Sequence, residues 1–328
     1  MPTTTIDSAV IHDAVNSACR APSLHNSQPW QWVYSGGELR LFLDSSRVMD
    51  TDQSAREALI GCGAALDHLR AAAAAAGWQA VVDRFPNSDR PDHLASIDFR
   101  PADFTTARDR LLADAIWTRC TDRLPFSAPT NWPSISASWT KEAVGTAVHL
   151  DSIPEAGVPT LTEAAQMAES LRLYDGAYHA ELGWWTAPFE KAEGIPHSSL
   201  VTAAESDRVG VERLFPVIHG GERRTEISED RAVILLLSTD ADGRADAVAT
   251  GEALSATLLH WTAAGLASCT VTHLTELPAT RDVIRSLVPA ATVPQVLIRL
   301  GLVPLTERTP KPTPRRPLSE VLRTRAFD

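Results

Sequence analysis

Two prolines, Pro22 and Pro29, bracket the stretch A-P-S-L-H-N-S-Q-P-W from Ala21 to Trp30 and bar it from continuing a helix or entering the interior of a sheet. Between them stand two serines, a histidine, an asparagine and a glutamine. So many donors and acceptors on a pinned backbone make a loop that the rest of the fold has to hold. Upstream, Ile6 to Cys19 reads as a helix that Pro22 ends. Downstream, W-Q-W-V-Y and L-R-L-F-L-D alternate around Ser35, Gly36 and Gly37, the pattern of a β-hairpin.

Further along, Ser54 to Ala76 is an alanine-rich helix ending at Gly77, W-Q-A-V-V and L-A-S-I-D-F are strands, and Thr105 to Trp117 is helical. The second part repeats this vocabulary: a long helix from about Thr160 to Trp185, a loop-rich passage, the strand A-V-I-L-L-L-S and a helix from about Ala247 to Ala264. The strand A-S-C-T-V-T-H-L, a short helix near Arg281 to Leu287 and the strand Q-V-L-I-R-L-G complete it. The expected class is α+β. Gly63, Ala65, Leu66, Ala75, Ala76 and Gly77 match Gly251, Ala253, Leu254, Ala263, Ala264 and Gly265 at a constant separation of 188 positions. This is the trace of a duplication or of ordinary close helix packing. Prolines at 310, 312, 314 and 317 predict an extended arm on the surface, whose Lys311, Arg315 and Arg316 form either a solvated tail or an anion site.

Composition narrows the function classes. A net charge of -11 argues against nucleic acid or an anionic membrane as partner. Cys19, Cys62, Cys120 and Cys269 are scattered, without a CxxC pair or a Cys/His cluster, so neither a disulfide framework nor a metal site is expected. With no leader-like N-terminus and no apolar run long enough to span a bilayer, the expectation is a soluble cytoplasmic protein. G-C-G-A-A-L at Gly61 to Leu66 departs from the dinucleotide fingerprint at Leu66 and follows a polar helical stretch rather than a strand. Hydrolase elbow, P-loop and H-E-x-x-H templates find no match. Histidines such as His68 and His260 read as core or surface residues. In W-T-R-C-T-D-R-L-P-F, Arg119, Thr121 and Arg123 can converge on one phosphate or make an ion-paired surface turn.

Taken together these pieces resemble the nitroreductase superfamily of FMN-binding proteins. Its loop of the form A-P-S-x-x-N-x-Q-P-W is matched by Ala21, Pro22, Ser23, Asn26, Gln28, Pro29 and Trp30. The resemblance implies that Pro22, Ser23, Leu24, His25, Asn26 and Gln28 lie against the flavin. It implies a phosphate site at Arg119, Thr121 and Arg123, reached by Arg315 and Arg316 of the arm. Family members carry their R-R-S-x-R phosphate motif ahead of the loop, whereas here the look-alike follows it. One chain therefore looks like two fused nitroreductase-type halves, each with a central mixed sheet flanked by helices, similar to the Acg-type branch. The implied division is 1–112, then 113–305 with a lid-like insertion at about 186–230, then the arm 306–328. A monomeric pseudo-dimer or a homodimer is implied.

The same resemblance implies an NAD(P)H-dependent reductase of nitro or quinone acceptors in which flavin N5, not a catalytic side chain, carries the chemistry. Two departures favour the alternative, a protein that sequesters FMN under a lid without turnover. Thr272 and His273 stand where the family places Glu-Gly beside N5, and the insertion from Thr186 to Arg224 is long enough to cover the site. A non-flavin scaffold that kept the motif is the remaining rival.

Overall fold

The computed structural model describes residues 6–137, 147–188, 192–288, 292–304, 307 and 311–324. Asp7 caps α1 (Ser8–Ala18) by accepting from the Ala9 amide, and the helix buries Ile11, Ala14, Val15 and Ala18. The hairpin follows as β1 (Trp30–Ser35) and β2 (Glu38–Leu43), then the central helix α2 (Arg56–Ala75), β3 (Trp78–Arg84) and β4 (His93–Pro101). A capping box between Thr106 and Asp109 starts α3 (Ala107–Thr118).

The second part comprises α4 (Trp132–Ala137), β5 (Val148–Ser152), α5 (Val158–Arg172), α6 (Gly176–Trp185), α7 (Ala203–Ser206), β6 (Val233–Thr239) and α8 (Arg244–Ala263). It continues with β7 (Ala267–Val271), α9 (His273–Glu276), α10 (Pro278–Arg285) and β8 (Val293–Gly301), and the chain closes with α11 (Leu318–Val321) and β9 (Leu322–Thr324). Two sheets result, in the orders β3-β4-β2-β1-β9 and β5-β6-β8-β7. Every pair in them is antiparallel except β1 with β9, and Thr121 adds a parallel bridge to Ser268 beside the second sheet. The fold is α+β, with helices on the sheets. No helix among the described residues is long and apolar enough to cross a membrane.

α2 and α8 pack against each other between the sheets, and their small residues set the distance. A Cβ on Gly63 would lie 2.0 Å from the Val248 carbonyl oxygen, and one on Gly251 would lie 2.0 Å from that of Ile60. Gly63 and Gly251 are a pair from the 188-residue echo, so equivalent points of the two helices meet. Asp67 and Ser255 stand at the same separation, and the Ser255 hydroxyl donates to Asp67 over 2.6 Å. Both helices also end alike, with Gly77 at φ +82° and Gly265 at φ +81°.

Four expectations need correction. The helix drawn from Thr160 to Trp185 is two helices, because Asp175 caps a new one by accepting from the Tyr178 amide. The strand drawn as A-S-C-T-V-T-H-L stops at Val271, and His273 begins α9. β5 has no counterpart in the sequence reading. The C-terminal arm is extended only over 311–317 among its described residues; it then forms α11 and β9, with Val321 and Leu322 buried against the first sheet. Prolines shaped the first stretch, and burial of two apolar side chains decided the second.

Candidate functional site

The loop after α1 folds as a single tight turn at Leu24–Asn26, with His25, Asn26 and Gln28 at φ 50°, 59° and 53°. Such left-handed backbone costs about 1–3 kcal/mol per non-glycine residue, so it persists only where the surroundings fix it. Ser23 accepts from the Gln28 amide at 2.9 Å. Asn26 Nδ2 donates to the carbonyls of Gly194 and Pro314, both at 3.1 Å. Gln28 donates to the Ala192 carbonyl at 2.8 Å and accepts from the Arg316 amide at 2.9 Å. The loop is thus clamped by the insertion on one side and the C-terminal arm on the other.

Against this loop lies a cavity of about 750 Å³, open solvent at its mouth included. Pro22, Ser23, Leu24 and His25 form one wall, Thr121 and Arg123 another, and Thr272 and His273 a third. Ile60, Gly61 and Leu254 of α2 and α8 supply its apolar floor, while Glu212, Arg213 and Phe215 come from the insertion. Segments far apart in the chain therefore converge, and eight of the thirteen positions singled out from the sequence line this one cavity.

A smaller cavity adjoins this one, sharing Pro22, Ser23, His25, Thr121 and Arg123 with it, and there Arg20, Arg119, Arg123 and Arg315 gather with Asn26 and Thr121. Arg119 and Arg315 donate to the Arg20 carbonyl at 3.1 Å, Arg315 also to that of Cys19 at 2.9 Å, and Arg20 to that of Thr313 at 2.9 Å. Among the described residues none of the four guanidinium groups forms an ion pair with a carboxylate. Burial, with repulsion from Arg20, pulls Arg119 down to about 10 and lowers Arg315 as well. Among the described residues, the buried Nε atoms of Arg20 and Arg119 and Oδ1 of Asn26 find no partner. Such a cluster favours a multiply charged anion, whose oxygens would satisfy the donors and offset their repulsion.

The remaining predicted residues sit elsewhere. Arg316 turns to Asp44 and Glu320, at 3.8 and 3.4 Å, rather than joining the cluster. Gln28, fully buried, braces the loop from behind. Arg20, Glu212, Arg213 and Phe215 went unread in the sequence. Arg20 directly precedes the loop motif and could have been noticed; the other three lie in a passage without periodicity, where no pattern marks them.

Electrostatics divides the cavity. Burial, then the nearby Arg213, holds His25 and His273 far below the usual imidazole range, His273 at about 3, so both rings are neutral. Neither ring nitrogen of His273 has a partner among the described residues. Behind Thr272, the Glu276 carboxylate pairs with Arg172 at 2.8 Å and with Arg213; burial raises it, but the two guanidinium groups prevail and keep it ionised. Arg213 therefore ties the insertion to α9.

Glu212 behaves oppositely: burial raises it from 4.5 to about 7. The folded chain then keeps a proton that the unfolded chain has released, so stability falls as pH rises from about 4.5 to about 7 and stays reduced above. Glu212→Gln should remove that loss, raising stability relative to the parent at pH 8 more than at pH 5, by on the order of 3 kcal/mol. Thermal unfolding at the two pH values checks this, and parallel profiles would refute a buried, proton-bearing Glu212.

No protein-family model matches the chain. Individual proteins do. A Mycobacterium tuberculosis protein named acg, and provisionally an NAD(P)H nitroreductase, is 54% identical over 329 aligned positions spanning 100% of this chain and 99% of its own. An uncharacterized protein of the same organism is 46% identical over 321 positions, covering 96% of this chain and 93% of its own. Among solved structures, the FMN-dependent nitroreductase NfnB of Mycobacterium smegmatis, in complex with NADPH, is similar with a TM-score of 0.40 and 15% identity, over 66% of this chain and 98% of its own.

Proposed function

Given that the chain belongs to the nitroreductase family, in the branch typified by acg, we propose that it binds FMN and serves as an NAD(P)H-dependent oxidoreductase of nitro or quinone acceptors. The observation that carries this reading is an apolar cavity adjoining a four-arginine cluster, with five lining residues common to both. An isoalloxazine needs an apolar slot with fixed polar groups at its edge, and its phosphate needs guanidinium donors. Arg20, Arg119, Arg123 and Arg315 would hold the phosphate. The left-handed turn at His25 and Asn26 would present backbone groups to the ring and ribityl chain, and the Asn26 Oδ1 would accept a hydroxyl. Hydride uptake from NAD(P)H and its delivery to an acceptor are chemistry the isoalloxazine supplies when bound. The chain's own part is to bind, orient and exclude water.

Residues 1–112 and 113–305 are taken as the two nitroreductase-like halves, so one chain would carry both sides of a site that ordinary members build from two; its oligomeric state is then free to be monomeric. A second reading, FMN held without turnover, draws support from the insertion's Arg213 and Phe215 lining the cavity, its Gly194 and Ile195 lining the adjoining cluster, and Thr272 and His273 in the cavity wall. In that reading the segment 186–230 is a lid. Visible absorption of the purified protein, before and after anaerobic NADPH and NADH, separates the two. The enzyme reading expects a yellow flavin spectrum that bleaches; a yellow spectrum that persists would favour sequestration, and a colourless protein that takes up no FMN would sink both.

A further inference from the structure

Two-electron reduction of an acceptor consumes a proton as well as a hydride. A quinone becomes a hydroquinone by taking one of each: the hydride brings the electron pair and one hydrogen, and the proton supplies the other. A nitro group reduced to nitroso takes the same two and sheds water. A slot that excludes water has to find that proton in its own walls.

The groups lining the slot narrow to one source. His25 and His273 have already released their titratable protons far below neutral pH. Arg123 and Arg213 keep theirs as guanidinium groups. Burial pushes the Cys269 thiol up, and the serine and threonine hydroxyls are weaker acids still. Glu276, behind the wall, is held ionised by its two arginines. Glu212 is the one carboxyl among the described residues that line the cavity.

Its surroundings let it keep a proton. The side chain is buried, and one of its oxygens accepts from the Ser206 hydroxyl. The other has no hydrogen-bond partner among the described residues. Arg299 and Arg123 face it and favour the carboxylate, whereas Asp230 opposes it. Neither guanidinium is committed to Glu212: Arg299 pairs with Asp230 at 2.8 Å, and Arg123 donates to the Ser199 carbonyl at 3.2 Å. Burial therefore prevails and holds the carboxyl at about 7. Ser206, half-buried at the end of α7, links this carboxyl toward solvent.

We propose that Glu212 is the proton donor of the slot. As the acceptor is reduced, the carboxyl O–H bond breaks, the proton passes to the acceptor and the electron pair stays behind on Glu212. The resulting carboxylate regains a proton from solvent through Ser206. The proposal rests on the FMN-oxidoreductase reading, in which reduced FMN supplies the hydride, and adds to it the source of the proton. The insertion then contributes a reacting group and not cover alone.

The test uses the FMN-loaded protein, reduced with stoichiometric dithionite and mixed in stopped flow with menadione, which takes up a proton, or with ferricyanide, which takes single electrons and none. The ratio of the menadione rate to the ferricyanide rate should fall roughly tenfold from pH 6 to pH 8, as a carboxyl near 7 loses its proton. Glu212→Gln should slow menadione on the order of a hundredfold at pH 6, leave ferricyanide unchanged and flatten the ratio against pH. Glu212→Asp should recover part of both the rate and its pH dependence. Ser206→Ala removes a hydrogen bond that favours the carboxylate, so the fall should move to higher pH. Apart from turnover, infrared difference spectra between pH 6 and pH 8 should show a protonated-carboxyl band that Glu212→Gln lacks.

An unchanged menadione rate in Glu212→Gln, a slowing shared equally by ferricyanide, or a ratio independent of pH in the parent would overturn the assignment. Should Glu212→Gln fail to fold, an unmoved pH midpoint in Ser206→Ala would overturn it alone. A parent protein that holds no FMN, or whose reduced flavin menadione does not reoxidise, would sink the underlying reading instead, before any variant is made.

Discussion

Arg119→Ala should weaken FMN binding roughly ten- to a hundredfold, the expected loss of a charge-assisted contact to phosphate of about 1.5–3 kcal/mol. Arg119 is the sharpest probe because it is almost fully buried and, among the described residues, its guanidinium makes one hydrogen bond, to the Arg20 carbonyl. Truncating it therefore removes little else. Arg315→Ala should lower affinity as much or more, but by two routes. It removes a donor from the cluster, and it frees the arm that its guanidinium fastens to the carbonyls of Cys19, Arg20 and Ala21. Arg316→Ala discriminates among explanations. Its guanidinium is engaged with Asp44, Glu320 and the Gln28 carbonyl, the last at 3.4 Å, and lies outside the cluster, so its removal should change affinity by less than about threefold, within what ion pairs to partly exposed carboxylates are worth. Equilibrium dialysis with FMN measures all three. Wild-type affinity in Arg119→Ala would dismiss the four-arginine cluster as the phosphate site, and a loss in Arg316→Ala equal to that in Arg119→Ala would move the phosphate toward the arm.

These distinctions mark what a linear sequence can carry. The loop from Ala21 to Trp30 was legible because prolines at both ends restrict the backbone whatever surrounds it. The hairpin, α2, α8 and most strands were legible because their periodicity is local. That Arg119 and Arg123 would meet Arg315 from the far end of the chain came from family likeness alone. Spacing within R-x-T-x-R says that two guanidinium groups can converge, not what else does. Arg20 is the instructive omission: it adjoins the motif, yet its place in the cluster depends on Arg315 returning to bond the carbonyls around it. Arg316 shows the converse, since adjacent residues on an extended arm point to opposite sides. The break at Leu173 to Asp175 was missed because apolar periodicity runs through it, and only the Asp175 cap reveals the restart. Glu212 was beyond reach because nothing in an irregular passage says which carboxyl will be buried.

The helix crossing gives the other large expected effect. Gly251→Ala should destabilise the chain by about 3 kcal/mol or more, lowering the melting temperature by on the order of 10 °C. The added methyl would sit 2.0 Å from the Ile60 carbonyl oxygen and 2.8 Å from both the Ala64 amide nitrogen and the Gly63 Cα. These are backbone atoms inside a helix, so no side chain can swing aside; α2 and α8 would have to separate. Separation would spread the cavity floor as well, because Ile60 and Gly61 on one helix and Leu254 on the other line it. FMN retention should therefore fall together with stability, unlike in Arg119→Ala, where affinity falls alone. Gly63→Ala should cost a similar amount, for its Cβ meets the Val248 carbonyl oxygen at the same 2.0 Å. Gly183→Ala is the control. It is exposed on α6 with nothing within 4 Å of the added methyl, and alanine's better helix propensity should leave the protein as stable or up to about 1 kcal/mol more so. Matched losses at 63 and 251 would mean that the 188-residue echo records a two-sided contact in which each half supplies the same surface to the other. A melting temperature unmoved by either substitution would show that the two helices do not approach at backbone distance, and the shared floor of the cavity would go with it.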